Sequence, residues 1–280
     1  MITQALVSGA VAIAERRSSK PGSGVYAGRS RVLVERGVYA AKSSNWLVIV
    51  SGFVEPVLYL LAFGFGIGQL IGDLDDGSGN TVSYAAFIAP ALLATSAMNG
   101  AIYDATWNVF FKMHFGKIYQ VMLSSSLGPL DVALGEIAWA LLRGTVYSLG
   151  FMAIVAPLGL VTSWWGLLAI PAATLIAFGF AAVGMAITSY MSNIQQMQWI
   201  NFFLLPMFLF SGTFFPVSVY PEWIQVIVQA LPLWQGVEMI RSIMLGNWDL
   251  SILGHVAYFV VMIIGGLWST TTRLRSLFMR

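Results

Sequence analysis

Long apolar segments, each of a length that can cross a bilayer, are the feature that most constrains how this chain can fold. A helix needs about 20 predominantly apolar residues to cross the hydrocarbon core. Charged residues make up only 9% of the chain, against about 25% in an ordinary soluble domain. Five segments meet the requirement easily, and a sixth, 195–215, is polar at its start and apolar thereafter. The six predicted spans are 46–70, 84–107, 131–157, 166–190, 195–215 and 252–272.

The placement of the basic residues orients these spans. Seven basic residues precede the first span, two lie between the second and third, and three follow the sixth, so that 12 of the 14 fall on one side. The loop after the first span carries Asp73, Asp75 and Asp76 and no basic residue. Cytoplasmic segments of membrane proteins are enriched in lysine and arginine. We therefore predict a multi-pass membrane protein whose N- and C-termini both lie in the cytoplasm.

The chain is predicted to be one membrane domain with a short leading segment. Residues 1–27 are rich in serine, glycine and basic residues near their end and are predicted to be a flexible cytoplasmic N-terminus, whereas residues 28–280 form a single transmembrane domain. The apolar stretch 6–14 is short and is followed, not preceded, by charges, which is atypical of a secretory signal. Ala12-Ile13-Ala14 nevertheless resembles a cleavage site, so processing of the N-terminus stays open.

Residues 28–42 are predicted to form a helix that lies on the inner membrane surface. Val34, Val38 and Ala41 share one stripe of such a helix, and its basic residues suit anionic lipid head groups. Membrane lipid is therefore an expected partner of this segment.

No catalytic constellation is present in the sequence. The chain has no cysteine and two histidines, His114 and His255, which are predicted on opposite sides of the membrane. A phosphate-binding loop is also absent, because Phe111 stands where the first glycine before Gly116-Lys117 would be required. The chain is therefore predicted to be neither an enzyme nor a nucleic-acid-binding protein, and to hold no metal or other cofactor. Any ATP would be bound by another chain.

Polar and charged residues inside the predicted spans are candidates for a transport path, because each is costly in lipid. Glu55 precedes Pro56, which can kink the first span. Glu136 and Arg143 lie seven residues apart on one face of the third span and are expected to pair with each other or with partners such as Glu55. These residues either line a path or only pack the bundle. A polar patch that either receives sugar hydroxyls or forms a seam between subunits comprises Gln195, Gln198 and Asn201, with Gln196.

The loop after the second span is basic yet carries many apolar side chains. Tyr119, Met122 and Leu123 share one helical face by their spacing. Such a face suits a helix that docks into a groove on a cytoplasmic partner, or alternatively one that rests on the bilayer. The residues predicted to make this contact are Phe115, Lys117, Ile118, Tyr119, Met122 and Leu123.

The segment 216–246 cannot be one straight span, because prolines and a Leu-Pro-Leu break interrupt it. Broken backbone near the membrane is tolerated only where protein or a water-filled cavity satisfies its polar groups. The segment is therefore predicted to form an entrance or exit built into the membrane domain. The candidate residues for this role are Phe215, Pro216, Trp223, Pro232, Glu238 and Arg241.

Several phrases of the chain resemble type-2 ABC exporter permeases, and among them the nodulation-type lipo-oligosaccharide exporter permeases. The resemblance covers roughly residues 40–275, with Gln235 standing where the family has a histidine. The matching phrases are Glu55-Pro56 with Leu58-Tyr59, Phe63-Gly64-Phe65-Gly66, Ser83-Tyr84 with Phe87, Ala94 to Met98, Leu134-Gly135-Glu136 with Ala138-Trp139, Phe215-Pro216-Val217, Leu231-Pro232-Leu233, and Ile240-Arg241 with Met244-Leu245-Gly246.

The resemblance implies a fold and a function. The fold would be an all-α polytopic membrane protein with six transmembrane helices, an N-terminal interfacial helix, a cytoplasmic coupling helix around 116–126 and an external re-entrant helical hairpin before the last span. This hairpin, 216–246, would close an outer gate, and the candidate residues named above for that segment would be the gate residues. Two permeases, identical or related, would sit on a dimer of ABC ATPase subunits that bind ATP and Mg²⁺ in the bacterial plasma membrane. The substrate would be amphipathic or lipid-linked: a glycolipid, a lipo-oligosaccharide or a hydrophobic drug. The alternative is an ion-coupled secondary transporter of a hydrophobic substrate.

Overall fold

The computed structural model describes residues 25–42, 47–75, 81–125, 127–161, 163–247 and 249–278. Nearly all of the predicted flexible N-terminus therefore lies outside the described residues. The α-helices are α1 (Ser30–Lys42), α2 (Leu47–Tyr59), α3 (Gly68–Ile71), α4 (Tyr84–Tyr103), α5 (Val109–His114), α6 (Ile118–Leu123), α7 (Pro129–Val155), α8 (Ala169–Tyr190), α9 (Gln198–Phe210), α10 (Glu222–Ala230), α11 (Pro232–Leu245) and α12 (Ser251–Phe278). Two π-helical segments, Leu60–Ile67 and Asp104–Asn108, join α2 to α3 and α4 to α5. Short 3₁₀-helices cover Trp164–Leu168, Ile194–Met197 and Val217–Val219.

Five helical stretches among the described residues are long and apolar enough to cross a membrane. They agree with five of the predicted spans to within a few residues at most ends, although the second runs about two turns further, to His114. The stretches are Val54–Ile71, Tyr84–His114, Pro129–Val155, Trp164–Tyr190 and Ser251–Phe278.

The predicted span 195–215 is shorter than the other five. Helix α9 has 13 residues and directly follows the 3₁₀-helix Ile194–Met197, so the two together extend about 28 Å, whereas the hydrocarbon core is about 30 Å thick. The helix ends at Phe210, and the chain then turns at Gly212, whose φ of +69° favours glycine. A six-span count therefore stays a prediction, because it depends on whether this short helix crosses.

The loop between the first two spanning stretches contains a small β-hairpin that an all-α prediction did not include. Strands β1 (Asp73–Asp75) and β2 (Thr81–Ser83) pair antiparallel, with Leu74 opposite Val82. The Ser83 hydroxyl then accepts a hydrogen bond from the Ala86 backbone N–H at 3.3 Å and so caps α4. The hairpin thus leads directly into the second span.

Helix α4 lies at the centre of the bundle. Every residue from Tyr84 to Ala101 except Asn99 is buried, and most of these side chains are small. The helix contacts α2, α7, α8 and α11. Small residues let helices approach closely in lipid, where burial of apolar side chains alone provides little drive to associate. The alanine-rich sequence of α4 therefore explains its central position.

Helix α1 is attached to the start of α7. The buried Asp131 carboxylate accepts hydrogen bonds from the backbone N–H groups of Ala27 at 2.5 Å, Arg29 at 2.8 Å and Gly128 at 3.0 Å. Leu33 packs against Gly135, where a Cβ would come within 2.6 Å of its side chain. This helix is therefore held by the bundle as well as being amphipathic.

The stripe predicted for α1 is wrong in one respect. Val38 is exposed and Val34 only half-buried, whereas Leu33 is buried. The burial of Leu33 follows from its contact with Gly135 of α7. The side chain of Ala41 lies outside those described.

The most extensive helix pair among the described residues joins α8 and α12. A Cβ at Gly266 would lie 2.6 Å from the Ala182 carbonyl carbon, and one at Gly179 would lie 2.7 Å from the Phe259 ring. Both glycines therefore permit a close approach that no larger residue allows. Adjacent Gly265 instead faces open space, with nothing within 4 Å of a Cβ there.

We predict that Gly266→Leu separates α8 from α12 and destabilises the protein by about 1–3 kcal/mol or more, because overpacking forces backbone shifts. The matched variant Gly265→Leu should leave stability unchanged or slightly higher, since leucine is the better helix former. Thermal melting of the purified protein, followed by size-exclusion chromatography, measures the difference. Equal melting temperatures for the two variants would contradict this packing.

Candidate functional site

A cavity of about 240 Å³ lies between α2, α4 and α9. Two residues predicted for the transport path, Glu55 and Asn201, line it from opposite sides. Sequence reasoning missed Thr95 and Asn99 on the α4 wall. The full lining is Glu55, Pro56, Tyr59, Leu92, Thr95, Met98, Asn99, Asn201, Leu204, Leu205 and Phe208.

Helical spacing explains why these residues meet at one cavity. Asn201, Leu204, Leu205 and Phe208 lie at i, i+3, i+4 and i+7 along α9 and therefore share one face. On α4, Thr95 and Asn99 lie four residues apart, a polar pair within an otherwise apolar span that could have identified them from the sequence. The cavity wall is therefore a set of three helix faces.

The polar side chains that line the cavity differ in the hydrogen-bond and ion-pair partners that the protein gives them. The Thr95 hydroxyl donates to the Ala91 carbonyl at 2.8 Å and so keeps its acceptor capacity for the cavity. Asn99 is the one residue between Tyr84 and Ala101 that is not buried. Glu55 is exposed, and it makes no ion pair with any of the described residues. The cavity therefore offers amide, hydroxyl and carboxylate groups to a ligand.

Aromatic rings close the end of the cavity nearest the turn after α9. We call Tyr59, Phe63, Phe208 and Phe214 the aromatic cluster. The ring centroids of Tyr59 and Phe208 are 5.6 Å apart, those of Phe208 and Phe214 are 5.2 Å apart, and those of Phe63 and Phe214 are 4.9 Å apart. Tyr84 donates a hydrogen bond to the Phe214 carbonyl at 3.0 Å. This cluster separates the cavity from the external hairpin.

The polar patch at the start of the fifth predicted span does not gather at the cavity. Gln195 and Gln198 are exposed, and neither lines it. The Gln196 side-chain oxygen accepts a hydrogen bond from the Ser192 backbone N–H at 2.7 Å. Of the patch, only Asn201 reaches the cavity, because it shares the α9 face that points toward α4.

The predicted pairing of Glu136 with Arg143 or Glu55 is wrong. Arg143 Nε lies 2.9 Å from Asp104 Oδ2, and Lys112 Nζ lies 2.6 Å from Glu136 Oε2. The continuous helical stretch from α4 to α5 packs antiparallel to α7. Asp104 and Lys112 on this stretch therefore lie opposite Arg143 and Glu136 on α7. Asp104 is 2% exposed in its side chain and is thus a buried ion-pair partner.

The apolar face of the segment after α5 is also oriented differently from the prediction. Tyr119, Met122 and Leu123 are buried within the chain, so they cannot form the predicted docking face for a partner. Burial raises the pKa of the Tyr119 hydroxyl well above its ordinary value, and the nearby Glu136 carboxylate raises it further. The other three predicted contact residues lie on the face directed away from the chain, since Phe115 and Lys117 are exposed and Ile118 is half-buried. Gln120 and Val121, which the sequence prediction did not include, are exposed on the same face.

Arg241 holds the external hairpin to the turn after α9. Its Nη2 donates to the Gly212 carbonyl at 2.7 Å, and its Nη1 donates to Glu238 Oε2 at 3.1 Å. The guanidinium also lies 4.1 Å from the centroid of the Phe87 ring in α4. Burial lowers the pKa of Arg241, and Glu238 opposes that shift. This contact set joins three elements at one side chain.

The remaining predicted gate residues occupy the ends of short elements. Pro216 precedes the 3₁₀-helix Val217–Val219, and Pro232 begins α11. The rings of Phe215 and Tyr220 pack edge to face, with their centroids 5.3 Å apart. The Trp223 residue is 68% exposed. The two-helix hairpin is therefore present as α10 and α11, although its depth in a membrane stays a prediction.

Gln235, the position that departs from the family phrase, connects the hairpin to α12. Its side-chain oxygen lies 2.5 Å from His255 Nδ1, and its amide donates to the Gln229 carbonyl at 2.7 Å. His255 is buried. The pair therefore packs α11 against α12.

Span-length helices packed around α4, with a cavity between α2, α4 and α9, a helical segment at one end and a broken hairpin at the other, are typical of a membrane transport subunit. Residues 30–245 match the family described as ABC-2 type transporter, so the chain belongs to that family. It is 31% identical to nodulation protein J of Rhizobium leguminosarum bv. viciae over 88% of this chain and 93% of that protein. Nodulation protein J of Sinorhizobium fredii (strain NBRC 101917 / NGR234) is 32% identical over 75% of this chain and 79% of its own. The family resemblance found in the sequence is confirmed.

We predict that Arg143→Ala destabilises the protein by about 3 kcal/mol, because it leaves the buried Asp104 carboxylate without its partner. The double variant Asp104→Asn/Arg143→Gln should recover much of this loss, since both charges are removed together. Melting temperature and yield of folded protein are the measurements. Arg31→Ala serves as a control, because it breaks the exposed Arg31–Glu35 pair and should cost less than about 1 kcal/mol. An Arg143→Ala protein as stable as the control would refute the assigned pairing.

Proposed function

We propose that this chain is the membrane-spanning permease subunit of an ATP-driven exporter that moves an amphipathic or lipid-linked substrate out of the cell. Membership of the ABC-2 type transporter family supports the exporter class. The observation that carries the proposal is the cavity between α2, α4 and α9, which combines polar groups with aromatic and aliphatic walls. Such a lining suits a substrate with a polar head and an apolar tail. Glycolipids, lipo-oligosaccharides and hydrophobic drugs all fit this description.

The assembly that we propose contains two permeases and two ABC ATPase subunits, with ATP and Mg²⁺ bound by the ATPases. The second permease is a copy of this chain or a related one. Helix α9 supports this proposal, because Ile200 is its one buried residue and Trp199, Phe202 and Phe203 are exposed. An apolar face of this size needs lipid or another subunit to cover it. The complex would lie in the bacterial plasma membrane with six spans per permease, counting α9, and both termini in the cytoplasm.

The contact with the ATPase is assigned to the exposed face of the segment 115–121. Phe115 is 67% exposed and Val121 is 70% exposed, and Lys117 lies between them. Apolar side chains on an exposed helical face suit a groove on a protein partner. The buried face, which carries Tyr119, would transmit the contact to Glu136 and the bundle.

We predict that Val121→Asp abolishes association with the ATPase while leaving the permease folded, because it places a charge in an apolar contact. The matched control is Val226→Asp, since Val226 in α10 is 68% exposed but lies in the external hairpin. Co-purification of the ATPase with each tagged permease, together with elution of the permease as a single folded species, gives the comparison. Equal recovery of the ATPase with both variants would remove this face from the interface.

We predict that Asn201→Trp abolishes export by filling the cavity, without releasing the ATPase. Val261→Trp is the control, because Val261 is exposed on α12 and does not line the cavity. Export from intact cells and ATPase association are measured together. Export that continues unchanged in Asn201→Trp would show that the substrate takes another route. Export that survives ATP depletion but stops when ion gradients collapse would instead support the ion-coupled alternative.

A further inference from the structure

Glu55 differs from Asp104 and Glu136, two other carboxylates of the described membrane helices. Asp104 pairs with Arg143, and Glu136 pairs with Lys112. Glu55, in contrast, is exposed, and among the described residues it is the one charged residue that lines the cavity, with no described basic side chain beside it there. It is the second residue of the spanning stretch Val54–Ile71. A carboxylate in a spanning helix is costly without a partner.

The groups around Glu55 favour a ligand that brings hydrogen-bond donors. A carboxylate only accepts hydrogen bonds, and the Thr95 hydroxyl has already used its donor on the Ala91 carbonyl. Asn99 and Asn201 can donate or accept. The cavity is thus rich in acceptors and carries one negative charge. A hydroxylated head group satisfies the amides and the hydroxyl, and a positive charge satisfies the carboxylate.

The charge of Glu55 and the aromatic wall of the cavity both favour a ligand with a positively charged head group. Charges interact more strongly beside a protein wall than in bulk water, because the effective dielectric constant is lower there, so a cation beside Glu55 is favoured and an anion is opposed. The Tyr59 ring, which also lines the cavity, can face a cation through its π-electrons. Both effects discriminate between head groups by their charge.

We propose that Glu55 makes the cavity selective for amphiphiles whose head group combines an ammonium group with hydroxyls, over anionic amphiphiles of the same shape. The proposal rests on the proposed function, because it takes the cavity to be the substrate path. Glu55 then determines specificity, and the substrate supplies a counter-charge that none of the described residues provides at this position.

The test uses three probes that share one chain and one pair of hydroxyls: sphinganine, N-acetylsphinganine and N-succinylsphinganine, which are cationic, neutral and anionic. The chain has no cysteine, so Leu205→Cys places a single permease thiol at the cavity wall. The permease–ATPase complex is reconstituted in nanodiscs of neutral lipid, at a pH where the amine is charged. The rate at which N-ethylmaleimide modifies this thiol, read by mass spectrometry, reports occupancy of the cavity.

Sphinganine should protect the thiol at a concentration about tenfold lower than N-succinylsphinganine does, which corresponds to about 1.4 kcal/mol. Glu55→Gln keeps the shape and removes the charge, so it should bring the two concentrations within about threefold of each other. N-acetylsphinganine should be unaffected by this substitution. Glu222→Gln is the control, because Glu222 is exposed on α10 and lies away from the cavity.

Three results would overturn the selectivity: no protection by sphinganine, equal protection by the cationic and anionic probes, or a preference that survives Glu55→Gln. The Asn201→Trp export assay distinguishes these results from a failure of the proposed function. If Asn201→Trp stops export while Glu55→Gln leaves the preference intact, the cavity is the path and only the role of Glu55 is wrong. If Asn201→Trp leaves export intact, the cavity is not the path.

Discussion

One central helix, built mainly from small side chains, is the constraint on which the rest of the structure depends. Helices in lipid associate through close packing, and residues such as the alanines of α4 permit approach from every side. At Gly100, for example, a Cβ would lie 3.1 Å from Gly144 of α7, so a larger residue would push the helices apart. The same helix places Phe87 under Arg241, Asn99 at the cavity and Asp104 opposite Arg143. The outer end, the middle and the inner end of the proposed path are therefore positioned by one element.

At the proposed inner end, an ion pair and a buried aromatic side chain connect the segment 109–123 to the bundle. Lys112 on α5 pairs with Glu136 on α7, and Tyr119 of α6 is buried near Glu136. A force applied to the exposed residue Val121 would therefore reach the bundle through the buried face of α6. The Lys112–Glu136 pair would hold α5 to α7 meanwhile, because removing one partner of a buried ion pair costs several kcal/mol.

The spans could be predicted from the length of the apolar segments. The ion pairs and the exposed face of α6 could not be predicted from the sequence. The prediction 166–190 and the observed stretch Trp164–Tyr190 nearly coincide because a bilayer sets the length of a span. Asp104, in contrast, lies in a π-helical segment, and the extra residue in such a turn changes which side chains face the neighbouring helix. Amphipathic spacing correctly grouped Tyr119 with Met122, but it cannot tell whether that face is covered by the same chain or by a partner. Glu55 and Asn201 were singled out because polar residues in a span are rare, and their meeting at a cavity needed the packing of α2 against α9.

The outer barrier combines several weak contacts with one strong attachment, and this combination suggests how the path would open. Each aromatic pair contributes about 0.5–1.5 kcal/mol, and the Tyr84–Phe214 hydrogen bond adds about 1 kcal/mol. Arg241, in contrast, binds the Gly212 carbonyl from a buried position with an ionised donor. Opening would therefore part Phe208 from Tyr59 and Phe214 while the turn at Gly212 stays attached to α11. Since α9 buries only Ile200 among its own residues, we expect α9 to be the helix that moves, pivoting at Gly212.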